Sequence, residues 1–367
     1  MSRGRYISRR LVQMVPVLFG ITLIVYAILL AAPGGPTARF ANNPRVTLAD
    51  KEQFKKAWGL DQPIPIQYCR WIGACNPDGQ GLGVFISNSG VPNILPAFLG
   101  GGTNGVLHGD FGVSVDSGEP VSTRITRAAL PTFILVSFAF VIWISVALVI
   151  GVYAAVKRYS LFDQLATIFA YVGFAMPTFW LGIMLLVIFT GGGLNILPAG
   201  GITTTRLSPP FGSNDYWTYF GHNPVTALVD IGRHLILPVF TLVVVSVAGD
   251  SRFIRASMLE ALSQDYVRTA KAKGLPGRTV TFKHALRNAL LPVVTNIGLE
   301  IPFLFTGAIA TETIFSWPGI GKLTIDATRE FDYPTLMGVL LVTSVLVVFA
   351  NLVADIAYAF VDPRIKY

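Results

Sequence analysis

Glu260-Ala-Leu-Ser-Gln-Asp265-Tyr-Val-Arg-Thr-Ala270-Lys-Ala-Lys-Gly274 is a basic, patterned segment that lies between two strongly apolar runs. The connector that contains it, 250–287, holds eight Lys/Arg against three Asp/Glu. Leu262, Tyr266 and Ala270 recur at i, i+4 and i+8, which predicts one apolar helix face, and Gly274 predicts its stop because glycine adopts positive φ without strain. Two readings follow from spacing alone. The helix is a peg for a groove on a soluble partner, or an interfacial helix lying on anionic lipid.

The flanking runs decide between a soluble and a membrane chain. Of 367 residues, 52% are hydrophobic and only 13% charged, about half the charged fraction of a soluble domain. A net charge of +8 raises the possibility of nucleic acid, but the cations sit between apolar runs and not on one aromatic-studded face, so they read as cytoplasmic loops. A helix crosses a bilayer with about 20 apolar residues. Six candidates are present: Leu11–Ala32, Leu130–Val156, Gln164–Thr190, a run centred on Leu235–Gly249 that begins near Ile231 and passes Asp250, Asn288–Thr311, and Pro334–Ala354. The first is too long for a signal-peptide core and no small-x-small cleavage site follows it, so it reads as a retained helix. Pro177 predicts a kink in the third.

Charge asymmetry gives the orientation. Arg3, Arg5, Arg9 and Arg10, then Lys157 and Arg158, the 250–287 connector, and Arg364 with Lys366 fall on one side of a six-span chain. Both termini are therefore expected in the cytoplasm. On the other side, connector 312–333 sets Lys322 and Arg329 against Glu312, Asp326, Glu330 and Asp332. The expected organisation is a cytoplasmic tail 1–10, a first span 11–32, an extracytoplasmic loop 33–129, a core of five spans over 130–360, and a tail 361–367.

Within the first loop, Thr47-Leu-Ala-Asp50 reads as a capping box and Phe54 and Trp58 follow at helical spacing, predicting a short helix over 48–58. The stretch 76–109 is rich in Gly, Asn and Pro and has no sustained period. The only cysteines, Cys69 and Cys75, lie in this loop, where a small local disulfide is permitted and a pair of free thiols equally so. Tyr216, Trp217, Tyr219 and Phe220 in connector 191–231 suit the water–lipid boundary.

Chemistry-bearing motifs are sparse. Glu300 reads as the only acid well inside a span, and Asn296 stands one turn before it on the same face. Pro302 removes the N–H that would bond the carbonyl of Gly298, so this is a polar spot in a membrane helix. It is either a lining of a translocation path, suited to a cationic group, or a structural hydrogen bond to another helix. His108, His222, His234 and His284 are scattered over loops, so no metal cluster is expected. Gly319-Ile-Gly-Lys322 lacks the first glycine and the Ser/Thr of a phosphate loop. No cofactor is expected in this chain.

Taken with Arg255-Ala-Ser-Met-Leu before it and Lys283-His-Ala-Leu-Arg-Asn-Ala289 after it, the opening segment resembles permease subunits of ABC importers for dipeptides, oligopeptides and nickel. Further pieces occur in the family's order: Ala32-Pro-Gly-Gly-Pro36, Gly109-Asp-Phe-Gly-Val-Ser114, Leu130-Pro131, Leu235-Ile-Leu-Pro238, Thr311-Glu-Thr-Ile-Phe-Ser-Trp-Pro-Gly-Ile-Gly321, Asp332-Tyr-Pro334 and Asp362-Pro-Arg-Ile-Lys-Tyr367. Singly each is weak, and together they are specific and cover most of the chain. The wider importer signature is Glu-Ala-Ala-x-x-x-Gly and, after a spacer, Ile-x-Leu-Pro. Ala270, Gly274 and Leu286 match it, whereas Arg268, Thr269, His284 and Arg287 depart from it.

The resemblance implies an all-α membrane protein of type I importer permease fold, with no chemistry on its substrate. It implies that Glu260 and Asp265, Tyr266, Val267, Arg268, Thr269, Ala270, Lys271, Ala272, Lys273 and Gly274 form a coupling helix that docks on an ATPase. The implied partners are a second related permease, two ATPase subunits or one two-headed ATPase that hold ATP and Mg²⁺, and an extracytoplasmic solute-binding protein in a prokaryotic inner membrane. Peptides are the expected cargo, with nickel chelates or oligosaccharides as alternatives in the same architecture. An ion-coupled secondary transporter is a further alternative. Family members often pass quickly from the position of Trp71 to Gly-Asp-Phe-Gly, so the extra stretch 76–107 is either a contact for the binding protein or a tolerated surface insertion.

Overall fold

The computed structural model describes residues 3–31, 49, 52, 61–73 and 105–361, excepting the side chains of 3–7, 29, 70, 295, 298–307, 355 and 357–361. Of the helix expected over 48–58 only residues 49 and 52 are described, both helical, and the stretch 76–104 and Cys75 lie outside the described residues. Described elements are almost wholly helical, with one isolated antiparallel bridge between Val113 and Pro120. In chain order the helices are α1 (Arg3–Ala31), α2 (Ile64–Ile72), α3 (Val121–Val156), α4 (Leu161–Ala175), α5 (Thr178–Phe189), α6 (Asn214–His222), α7 (Pro224–Ser263), α8 (Asp265–Ala272), α9 (Arg287–Ile314), α10 (Ile320–Arg329) and α11 (Tyr333–Val361).

Four helical stretches among the described residues are long and apolar enough to cross a membrane: Ser8–Ile28, Val121–Val156, Pro224–Ser263 and Tyr333–Ala354. The third expected span is different. It is two helices, α4 and α5, bent by 100°. Met176 precedes Pro177, whose ring excludes the helical conformation from the residue before it, and Met176 is extended at φ −85° and ψ 119°. Proline thus breaks the helix where the sequence reading placed a kink.

Contacts divide the chain into two compact units, one of 1–10, 131–321 and 349–367, the other of 11–130 and 322–348. In the first unit α7 is the central helix and packs against α4, α5 and α9. Its 40 residues begin at Pro224, earlier than the sequence suggested, because Asn223 and a proline in the first turn start the helix before the apolar run. Small residues permit close crossing. A Cβ on Gly151 of α3 would overlap Ile254 of α7, and one on Gly173 of α4 would press on Ala248. Trp143, Ala147, Val247, Ile254, Met258 and Val293 form the buried core beside them.

In the second unit, α2 folds onto α1. Tyr26 donates to Gln67 at 3.1 Å, the hydroxyls of Thr22 and Tyr68 meet at 2.7 Å, and the rings of Tyr26, Tyr68 and Trp71 lie 5.5–6.0 Å apart. Cys69 of α2 is disulfide-bonded. Elsewhere in this unit Asp332, fully buried, accepts from Ser114 at 2.6 Å, Arg124 at 2.7 Å and Thr335 at 2.7 Å. Desolvation and its hydrogen-bonded neighbour Asp116 push the Glu330 carboxyl above the usual carboxylate range, and burial does the same to Asp110.

Candidate functional site

Two places in the first unit carry residues singled out by sequence, and two further contacts there were not read from it. The first is the basic loop. Gln264 is extended at φ −72° and ψ 151°, which ends α7 and starts α8. That break resets the helical register, so Leu262, Tyr266 and Ala270 do not form one stripe. The packed face of α8 is Val267 and Ala270, at 0% and 5% exposure, set against Val280 and Ala285 in the same core as Trp143 and Met258. Tyr266 is exposed instead, beside Arg268, Thr269, Lys271, Ala272 and Lys273. Glu260 is exposed on the last turn of α7, outside α8. Asp265 and Arg268 form a loose 3.5 Å pair with side chains 94% and 74% exposed, a geometry that contributes next to nothing.

Gly274 takes φ +72° after Ala272 and Lys273, as the stop signal predicted, and its N–H caps the carbonyl of Lys271 at 3.0 Å. A helical turn, Gly277–Thr279, and a π-helical stretch, Val280–Leu286, then run into α9 without a break. This basic stretch is therefore the lead-in of α9, wound wider than an α-helix.

The second place is the polar spot. Asn296 of α9 donates to the Asp250 carboxylate of α7 at 3.2 Å, and Asp250 is 5% exposed. The partner of Asn296 is thus on a neighbouring helix. The Glu300 side chain lies outside the described residues, but Glu300 is not the only acid in these helices, since Asp250 and Glu312 are buried in α7 and α9.

The third place went unread in the sequence. Glu312, 0% exposed, accepts from Thr132 at 2.7 Å and from the Gly321 N–H at 2.7 Å, while Thr132 itself accepts from the Ile320 N–H at 2.8 Å. Trp317, also fully buried, donates its indole N–H to the carbonyl of Pro131 at 2.9 Å. The segment 315–321 is thereby folded back over α3 at Pro131 and Thr132 and over the C-terminal end of α9. A Cβ on Gly319 or Gly321 would overlap the Glu312 carboxylate, which is why glycine occupies both positions. The Gly321 N–H thus serves the chain's own carboxylate and the Ile320 N–H the Thr132 hydroxyl. The two closely spaced glycines after a lone acid were the available signal.

A fourth contact was also missed. Arg255 of α7 grips Asp163 of α4 with two parallel bonds, Nε–Oδ1 at 2.6 Å and Nη2–Oδ2 at 2.8 Å, and Asp163 also accepts from the Tyr159 N–H at 2.9 Å. Ser160 caps α4 by accepting from the Asp163 N–H at 3.3 Å. The Ser160-Leu-Phe-Asp163 spacing is a capping-box pattern that marked this helix start. No group of three or more His, Cys, Asp or Glu able to hold a metal occurs among the described residues.

Comparison with known proteins places the chain. The oligopeptide transport system permease protein AppB of Bacillus subtilis is 37% identical over 363 residues, covering 99% of each chain. The dipeptide transport system permease protein DppB of Escherichia coli K12 is 35% identical over 377 residues, again 99% of each. A di/tripeptide transport system permease protein DppB of Pseudomonas aeruginosa is 35% identical over 376 residues, 99% of this chain and 98% of its own. Residues 3–80 match the N-terminal region of binding-protein-dependent transport membrane components, and residues 147–367 match the binding-protein-dependent transport system inner membrane component family. The chain belongs to that family and is a multi-pass membrane permease.

Proposed function

We propose that this chain is one half of the pore of an ATP-driven importer that takes up di- or oligopeptides delivered by a solute-binding protein. The reading of the cargo is supported by relatives named for dipeptide and oligopeptide transport that align over almost their full length. In this reading the chain crosses the bacterial inner membrane six times, the α4–α5 pair and α9 supplying the third and fifth crossings, with both termini and α8 in the cytoplasm. A second related permease completes the pore. ATP and Mg²⁺ are held by two ATPase subunits, or one two-headed ATPase, and this chain carries no cofactor.

The observation that carries the coupling role is the two-sided character of α8. Val267 and Ala270 hold it to the core of the spanning helices, while Tyr266, Arg268, Lys271 and Lys273 are left on the outside. Movement of a docked ATPase then reaches α7 and α9 through a packed contact and not through a slack loop. The Asp250–Asn296 pair, with Glu300 one turn further on, is the proposed polar lining of the path.

The test is reconstitution. Solubilised chain should co-purify with ATPase subunits, and proteoliposomes should accumulate a labelled dipeptide only with ATP and the binding protein. Uptake by this chain alone, driven by an ion gradient, would overturn the reading.

A further inference from the structure

The lead-in to α9 has a chemistry that the docking role of α8 does not use. From Tyr266 to Leu299 the chain has no acidic residue and carries Arg268, Lys271, Lys273, Arg278, Lys283 and Arg287. Arg278 and Lys283 form no ion pair among the described residues. Together with Thr279 and Phe282 they line an open recess. Phe282 is 54% exposed although its neighbours Val280 and Ala285 are buried in the core. An aromatic ring left in the open between two unpaired cations is costly in bulk water and favourable where headgroups meet acyl chains. The recess also lies on a helical path that continues, through the π-helical turn, into a helix embedded in the apolar core.

We propose that this recess binds an anionic phospholipid, with Arg278 and Lys283 on the headgroup phosphate and Phe282 against the upper acyl chain. The occupant is a lipid and not an acidic protein surface, because the cations flank an exposed ring on the helix that enters the apolar core. The proposal rests on α9 being a membrane span. It does not depend on the cargo or on coupling to ATP.

The test uses delipidated full-length chain in detergent and fluorescent phosphatidylglycerol, with phosphatidylcholine as the neutral comparison. Saturable binding that prefers phosphatidylglycerol is expected. The Arg278→Ala/Lys283→Ala double variant should bind about thirtyfold more weakly, since each cation near a lipid surface is worth about fivefold. Arg278→Lys/Lys283→Arg should retain binding, and Arg268→Ala should leave it unchanged. Phe282→Ala should weaken phosphatidylglycerol binding.

Equal binding of the two lipids, or an unchanged double variant, would overturn the proposal. Full displacement of the lipid by millimolar inorganic phosphate would make this a site for a soluble anion. If the double variant lost its ATPase subunits in a pull-down and kept its lipid affinity, the recess would be a protein-docking face. Loss of lipid binding with ATPase subunits retained is the supporting outcome, and it separates this inference from the coupling role of α8.

Discussion

Val267→Ala is the sharpest test of how α8 is held. Val267 is 0% exposed and packs with Ala270, Val280 and Ala285. The substitution removes two methyl-sized groups from a closed core, about 1.6 kcal/mol at about 0.8 kcal/mol each, and a residual cavity brings the cost to about 2 kcal/mol. An eight-residue helix has little stability of its own in water, so this loss falls on the docking of α8 and not on the spans. A change of about 2 kcal/mol multiplies the undocked population about thirtyfold. Hydrogen exchange followed by mass spectrometry on detergent-solubilised chain should show that acceleration in the peptide covering 265–272, with α3 and α7 unchanged. In reconstituted importer, ATP hydrolysed per peptide imported should rise. Tyr266→Ala, on the outer face, should instead lower ATPase affinity and leave exchange in α8 unaltered. Unchanged exchange in Val267→Ala, or acceleration equal to it in Tyr266→Ala, would refute this assignment of faces.

Gly274→Ala should cost about 1 kcal/mol, because φ +72° strains any residue with a Cβ while nothing lies within 4 Å to clash with it, and Gly274→Pro should cost more by also losing the N–H bonded to Lys271; local exchange rates check both. Asp163→Ala leaves a partly buried guanidinium without its carboxylate and should destabilise the chain by about 2–3 kcal/mol, less than a fully buried pair because Arg255 is 28% exposed; thermal unfolding with a double-mutant cycle through Arg255→Ala measures it. Glu330 titrates above the usual carboxylate range, so its contribution is complete below that range and is lost as pH rises through the raised value, when Asp116 and Glu330 are both charged. Glu330→Gln should therefore flatten the fall in melting temperature between acidic and neutral pH, and a pH profile unchanged from the parent would contradict the pairing.

The helical, membrane-spanning character was legible because apolar length is a property of residue type. The stop at Gly274 could be read because a single residue's φ decides it. What was misread depended on backbone geometry at one position. Gln264 turns extended and moves Tyr266 to the outside, and Met176 turns extended before Pro177 and divides a span. The partners of buried polar groups were illegible for a different reason. Asp163 and Arg255 are 92 residues apart and Thr132 and Glu312 are 180 apart, and no local pattern reports a contact at such separations. Helices α2, α6 and α10 were missed because each is short and borders stretches rich in glycine, proline or charge.

The unbroken length of α7 has a mechanical consequence. Its 40 residues span about 60 Å, roughly twice the hydrocarbon thickness of a bilayer. A rod of that length pivoting by about 10° at its middle carries each tip roughly 5 Å, a lever large enough to open or close a path while every local contact along it shifts by far less. One end of the rod abuts α8 through Gln264, Asp250 lies partway along it, and Pro238 is the position where a backbone hydrogen bond is missing and the rod is softest.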